Sequence, residues 1–134
     1  MSLVNNKFII PENIYAWPAE NDTNGNIEYK RYLIDVSESK LQKLGTQIKW
    51  RMCQGYELYE TYEAYYVIGI NDNGSFAKIN KTQIAETINN LDKACKLIKC
   101  SITSISYFNL ENGQIALLNI KPDENYNIKC YLEK

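Results

Sequence analysis

The sequence predicts an α+β domain: a two-layer sandwich in which an antiparallel sheet carries two helices on one face, in the order β-α-β-β-α-β-β. Three observations lead there. Asn73-Gly74 and Asn112-Gly113 each stand between apolar, aromatic runs, and Asn-Gly suits the tight turn of a β-hairpin because both residues tolerate positive φ. Two long stretches repeat their apolar residues at helical spacing: Leu41, Leu44, Ile48 and Met52, then Ile84, Ile88, Leu91, Cys95 and Ile98. The remaining apolar segments are short and rich in β-branched and aromatic residues, which marks strands. Two amphipathic helices laid on one sheet face cover both sets of apolar groups. The first six elements follow a ferredoxin-like order.

Taken in order, residues 1–25 contain Pro11, Pro18 and the polar run Glu20 to Gly25, and they read as an extended arm that Tyr15 and Trp17 can pin to the body. Residues 26–122 form the α+β domain. Ile27 to Val36 is the first strand. Ser37 is a good N-cap, with Lys40 at the position a capping box would give to Glu. The first helix then runs to about Gln54. Gly55 is placed to cap its C-terminus, and Lys49 and Arg51 suit the negative end of the helix dipole. Tyr56 to Asn71 reads as the second strand, with a break near Glu60 to Glu63. Phe76 to Ile79 is the third strand. Asn80 caps a second helix over 81–99. Ile102 to Leu110 and Ile115 to Ile120 make the second hairpin, which Pro122 ends. Residues 123–134 are a tail in which Ile128 to Leu132 has the composition of a last strand.

The composition sets bounds on function. A chain of 134 residues fits one domain with a real core. Its net charge of −1 gives no global attraction to nucleic acid or anionic lipid, so only a local basic patch could provide one. No apolar run approaches the roughly 20 residues that span a bilayer, and the first residues lack the apolar centre of a signal peptide; the expected location is the cytoplasm, with no membrane partner. The cysteines are Cys53, Cys95, Cys100 and Cys130. No C-x-x-C pair and no histidine accompany them, which argues against a zinc site and for reduced thiols. The lack of histidine also removes the commonest general base near neutral pH.

Few residues offer chemistry. Trp50 sits between Lys49 and Arg51, off the apolar stripe and on a face shared with Lys43, Gln47 and Gln54. Such an aromatic can stack a base while its cationic neighbours meet phosphate. It can equally pack against Tyr15, Trp17 or the tail, the commoner fate of a large apolar group. Tyr59, Tyr62, Tyr65 and Tyr66 raise the same choice between base stacking on an open sheet and ordinary cross-strand packing, and the RNA-recognition signature is absent. The carboxylates Glu28, Asp35, Glu57, Glu60, Glu63 and Asp72 show no spacing that makes any two converge, and Asp72 suits its turn. There is no phosphate-binding loop and no nucleophile elbow.

Three blocks carry a resemblance. Gly25 to Lys30 (GNIEYK), Thr46 to Arg51 (TQIKWR) and Glu63-Ala64 followed by Tyr66-x-Ile68-Gly69-Ile70-x-Asp72-Asn73-Gly74 occur in this order. They resemble the segment before the GTPase domain in the GTP-binding-protein-1 and -2 branch of elongation-factor-like GTPases. Ala116 to Asp123 is similar to the strand just before that domain. Tyr56 to Tyr62 is an insertion against the pattern, and Ala77-Lys78 departs from it. The resemblance implies a non-catalytic accessory domain of a translation-type GTPase. GTP and Mg²⁺ would belong to an adjoining GTPase domain, and that domain, tRNA or the ribosome would be the partners. On this reading the contacts to RNA or a partner come from Lys30, Lys49, Trp50 and Arg51, and Asn73-Gly74 is a hairpin turn. A second, fainter resemblance joins Glu28-x-Lys30 and Ile68-Gly69-Ile70-x-Asp72-x-Gly74 to the AlbA-like core of Schlafen proteins, some of which cleave tRNA with a carboxylate cluster. It implies the alternative of a metal-dependent RNA endonuclease using Glu28 and Asp72. The further acidic position of that pattern falls near Thr23 and is missing.

Overall fold

The two apolar stripes do form helices, and the sheet lies between them and the N-terminal arm. The computed structural model describes residues 2–4, 8–21, 25–33 and 36–123, with side chains from residue 10 onward. In chain order the elements are β1 (Ser2–Val4), β2 (Phe8–Ile10), β3 (Ile27–Lys30), α1 (Glu38–Tyr59), β4 (Ala64–Ile68), α2 (Lys81–Leu97), β5 (Cys100–Leu110) and β6 (Gly113–Pro122). The fold is α+β, as the patterning predicts, with two helices and a four-stranded sheet of order β3-β4-β6-β5.

The sheet is mixed, which corrects the antiparallel expectation. β3 pairs with β4 in parallel, Glu28 opposite Tyr66, whereas β4 and β5 both pair antiparallel to β6. The reason is the connection. α1 carries the chain back across one face, so β4 enters in the same direction as β3, as a helical crossover requires. A single strand, β4, lies between the two helices, so the ferredoxin-like order with two strands there does not apply. The expected third strand, Phe76 to Ile79, shrinks to the antiparallel bridges Ile70 to Phe76 and Ala16 to Ser75. The arm is not simply extended: β1 and β2 pair antiparallel, with Ser2 opposite Ile10. Ile34, Asp35, Cys130 and the predicted last strand, Ile128 to Leu132, lie outside the described residues.

Alternation along the strands separates two cores. Ala64, Tyr66 and Ile68 of β4 and Ala116, Leu118 and Ile120 of β6 face the helices, where they meet Leu44, Ile48 and Met52 of α1 and Ile84, Leu91 and Cys95 of α2. Tyr65, Val67, Ile115 and Leu117 face the other way and are covered by Trp17 of the arm, with Tyr29 and Ile70. Both helices therefore sit on one sheet face, and the arm closes the second.

Local chemistry accounts for the element ends. Ser37 Oγ accepts the N–H of Lys40 at 3.3 Å. Asn80 and Gln83 form a reciprocal capping box, with bonds of 2.8 and 2.9 Å. α1 does not stop at Gly55. It continues to Tyr59, and Glu60 takes the left-handed cap at φ 61 with its N–H on Tyr56 O. A Cβ on Gly55 would lie 2.3 Å from Glu63 O, so this glycine lets the returning loop cross the helix. Lys49 and Arg51 are consequently in mid-helix and away from the dipole's end. Both Asn-Gly pairs lie at chain reversals, but Asn73 does not adopt the positive φ of a type I′ turn. Gly74 N–H closes the first turn on Asn71 O at 2.8 Å, and Gly74 itself has φ +93. A Cβ there would lie 1.9 Å from Trp17 O, where the arm's backbone crosses.

Candidate functional site

The residues singled out by sequence divide between a buried ionic node and the outer side of α1. The node begins with Arg51. In α1, Leu44, Ile48, Arg51 and Gly55 follow one another at offsets of four, three and four, and all are buried. Arg51 is only 1% exposed. Its Nε donates to Glu28 Oε1 at 2.7 Å, and its Nη1 donates to the carbonyls of Asn21 at 3.1 Å and Gly25 at 2.8 Å. Glu20 Oε2 lies 3.9 Å from Nη2. One guanidinium thus joins helix, strand β3 and the end of the arm, which matches its fork geometry. Arg51 is withdrawn from any surface patch, which corrects its place in the expected RNA-binding face. Its guanidinium also stacks over the ring of Trp50, 4.8 Å from the centroid.

Glu20 is the residue that sequence reasoning missed. Its carboxylate accepts the N–H of Tyr29 at 2.7 Å, and its own N–H donates to Asp72 O at 2.8 Å. Burial, together with the charges of Glu28 and Asp72, pushes its pKa up to about 7 against the lowering effect of the Tyr29 amide. Glu20 thereby bridges Glu28, which is buried, and Asp72, which is exposed. No motif marks it; the cue would have been a carboxylate eight residues before Glu28 in a polar loop beside Pro18. Among the described residues, no group of three or more acidic or cysteine side chains is arranged to hold a metal ion.

The outer side of α1 keeps the other candidates. Trp50 is 37% exposed, so it belongs to neither core. Lys49 is half-buried, and Lys30, the last residue of β3, lies beside α1 with its Nζ 4.0 Å from Glu28 Oε2. Tyr65 and Tyr66 are core residues; burial pushes the Tyr66 hydroxyl well up, and it donates to Gln47 Oε1 at 3.0 Å. Tyr59 is exposed, and Tyr62 stacks on Tyr56 with ring centroids 4.4 Å apart. Burial likewise pushes the Cys95 thiol up to about 12, which makes it a packing group. No helix among the described residues is long and apolar enough to cross a membrane.

No family model matches the chain. It is 32% identical over 105 residues to an uncharacterised protein, R625, of Acanthamoeba polyphaga mimivirus, a match covering 78% of this chain and 54% of that protein. It is 33% identical over 89 residues to GTP-binding protein 2 of Homo sapiens and of Mus musculus, covering 66% of this chain and 14% of theirs. The chain thus spans about half of the viral relative and a small part of the animal ones. It is related to a stretch of GTP-binding protein 2, in accord with the resemblance carried by its three blocks.

Proposed function

We propose that this chain is a non-catalytic accessory region of a translation-type GTP-binding protein, working beside a GTPase domain and contacting RNA from the outer side of α1. The observation that supports it is the similarity to a stretch making up 14% of GTP-binding protein 2. GTP and Mg²⁺ would be held by the adjoining GTPase domain, and the setting would be cytoplasmic. The contacting groups are Lys30, Lys49 and Trp50, with Arg51 supporting Trp50 from beneath.

The two lysine–phosphate contacts, from Lys30 and Lys49, give a weak, salt-sensitive association, with a log-log slope of roughly −1.5 to −2. Titration of tRNA against the chain tests this. Trp50→Ala is expected to weaken binding by about 1–3 kcal/mol, the cost of a lost stacking contact, while leaving the melting temperature nearly unchanged. Unchanged tRNA binding in both Trp50→Ala and Lys49→Ala would remove RNA from the reading and leave the GTPase domain as partner.

The endonuclease alternative needs Glu28 and Asp72 open to a metal ion. Glu28 Oε1 is held by Arg51 at 2.7 Å, and a buried, charge-assisted bond of that length is not readily exchanged for a cation. Incubation with tRNA and Mg²⁺ or Mn²⁺ is therefore expected to yield no cleavage. Cleavage abolished by Glu28→Gln and by Asp72→Asn would establish the alternative instead.

A further inference from the structure

β3 ends at Lys30, the chain passes Leu33 and Val36, and α1 begins at Glu38. Between these elements lies a cavity of about 240 Å³. Its apolar wall is Leu33, Val36 and Leu44, and its polar rim is Lys30, Lys40, Lys43 and Gln47. Among the described residues lining the cavity three are lysines and none is acidic, in a chain of net charge −1. Lys40 and Lys43 stand three apart on α1, so they are neighbours on the helix surface. Among the described residues, the ion pairs include none for Lys40 or Lys43. Among the described residues Lys30 pairs with Glu28 at 4.0 Å, and Glu28 is itself held at 2.7 Å by Arg51. Gln47 accepts from Tyr66 through Oε1, which leaves its Nε2 as a donor.

We propose that this cleft is a phosphomonoester site. A terminal phosphate sits among Lys30, Lys40 and Lys43, and the sugar it is attached to lies on Leu33, Val36 and Leu44. Lysine ammonium groups act on phosphate as point charges, and a dianion relieves the repulsion among three of them. The volume lies below the roughly 300–1,000 Å³ of pockets for drug-sized ligands, which fits one phosphate and its sugar rather than an extended molecule. The same chemistry is presented by a free nucleoside monophosphate and by the 5′-phosphate end of an RNA strand. The site shares Lys30 with the RNA face proposed above but does not depend on it, since Lys49 and Trp50 take no part.

The test is a titration of the full chain, followed by amide shifts, with GMP, with guanosine, and with a short single-stranded RNA carrying either a 5′-phosphate or a 5′-hydroxyl. GMP is expected to shift amides of Lys40, Lys43 and Gln47 and to bind at least tenfold more tightly than guanosine. Lys40→Gln/Lys43→Gln should weaken GMP binding at least tenfold with an unchanged melting temperature, because both side chains are exposed. Lys93→Gln/Lys96→Gln, on α2, should leave it unaltered. A response to 5′-phosphorylated RNA and none to GMP identifies the strand end as the source and also supports the site. Guanosine binding as well as GMP, or full binding by the Lys40/Lys43 variant, overturns it. RNA binding that ignores the 5′-phosphate and is lost only in Trp50→Ala supports the α1 face alone and equally overturns the cleft.

Discussion

Arg51 explains more of this chain than any other residue. It lies in the TQIKWR block, and its partner Glu28 lies in the GNIEYK block, so two of the three blocks of the resemblance meet in one ion pair. That pair is 2.7 Å long, with side-chain exposures of 2% and 9%. Removing one partner of such a pair leaves the other charged and buried, which costs on the order of 3–5 kcal/mol. Arg51→Ala is therefore expected to lower the unfolding free energy, read by urea denaturation, by about that amount. Arg51→Met combined with Glu28→Gln should lose less than Arg51→Met alone, since the double change removes both charges. A cost below about 1 kcal/mol for Arg51→Ala would mean that the node is hydrated and contributes little. Trp50 makes the opposite case. It is partly exposed and covers the guanidinium from outside, so its truncation should be felt in binding rather than in folding.

At the scale of elements, Gly55 sets two rules against each other. Alanine is favoured over glycine inside a helix by about 1 kcal/mol. Yet a Cβ on Gly55 would lie 2.3 Å from Glu63 O and 3.0 Å from Thr61 O, both in the loop returning to β4. Overpacking against backbone costs about 1–3 kcal/mol, so Gly55→Ala is expected to lower the melting temperature despite its better propensity. A raised melting temperature would show that the 60–63 loop yields. The same residue shows what was legible in the sequence. Both helical stripes, both N-caps and the β5–β6 hairpin follow from spacing and turn chemistry within a few residues of one another. The end of α1 did not, because Gly55 reads locally as a cap while its actual role depends on a loop that crosses it. The parallel pairing of β3 with β4 was equally hidden: strand direction follows from the side on which α1 returns, and no residue in either strand encodes that. Of the candidate site, the partial exposure of Trp50 was one of two open readings. The burial of Arg51 had a cue, since Arg51 continues the Leu44 and Ile48 face, but a cation beside an exposed tryptophan suggested a surface. Glu20 had only its place in a polar loop eight residues before Glu28, because its role depends on the arm folding back over β3.

For the whole molecule, that folding back has a pH dependence. The arm is fastened to the sheet by Tyr29, whose N–H donates to Glu20 and whose hydroxyl donates to Pro18 O at 2.6 Å, and by Trp17, which is buried against the face away from the helices. The charged groups facing Glu20 are Glu28 from β3, Asp72 from the turn before Ser75 and Arg51 from α1. Arg51 is 2.7 Å from Glu28 and 3.9 Å from Glu20, so it serves Glu28 first. Burial of Glu20, with Glu28 adding to it, therefore raises the pKa from 4.5 to about 7. The sign follows by linkage. A carboxyl group whose pKa is higher in the folded state binds more protons there than in the unfolded chain, so stability falls as pH rises between the two values. The contribution of Glu20 is fully present below pH 4.5, declines toward pH 7 and is constant above it. Glu20→Gln keeps an acceptor for the Tyr29 N–H but cannot ionise. Urea denaturation at pH 5, 6, 7 and 8 should show the natural chain losing stability relative to Glu20→Gln as pH rises to about 7, with the difference constant beyond. The loss should be accompanied by greater exposure of Trp17, followed by its fluorescence in a Trp50→Phe background. A difference between the two chains that does not vary across this range would show that Glu20 is ionised throughout, and the arm would then be held by Trp17 and Tyr29 without help from a proton on Glu20.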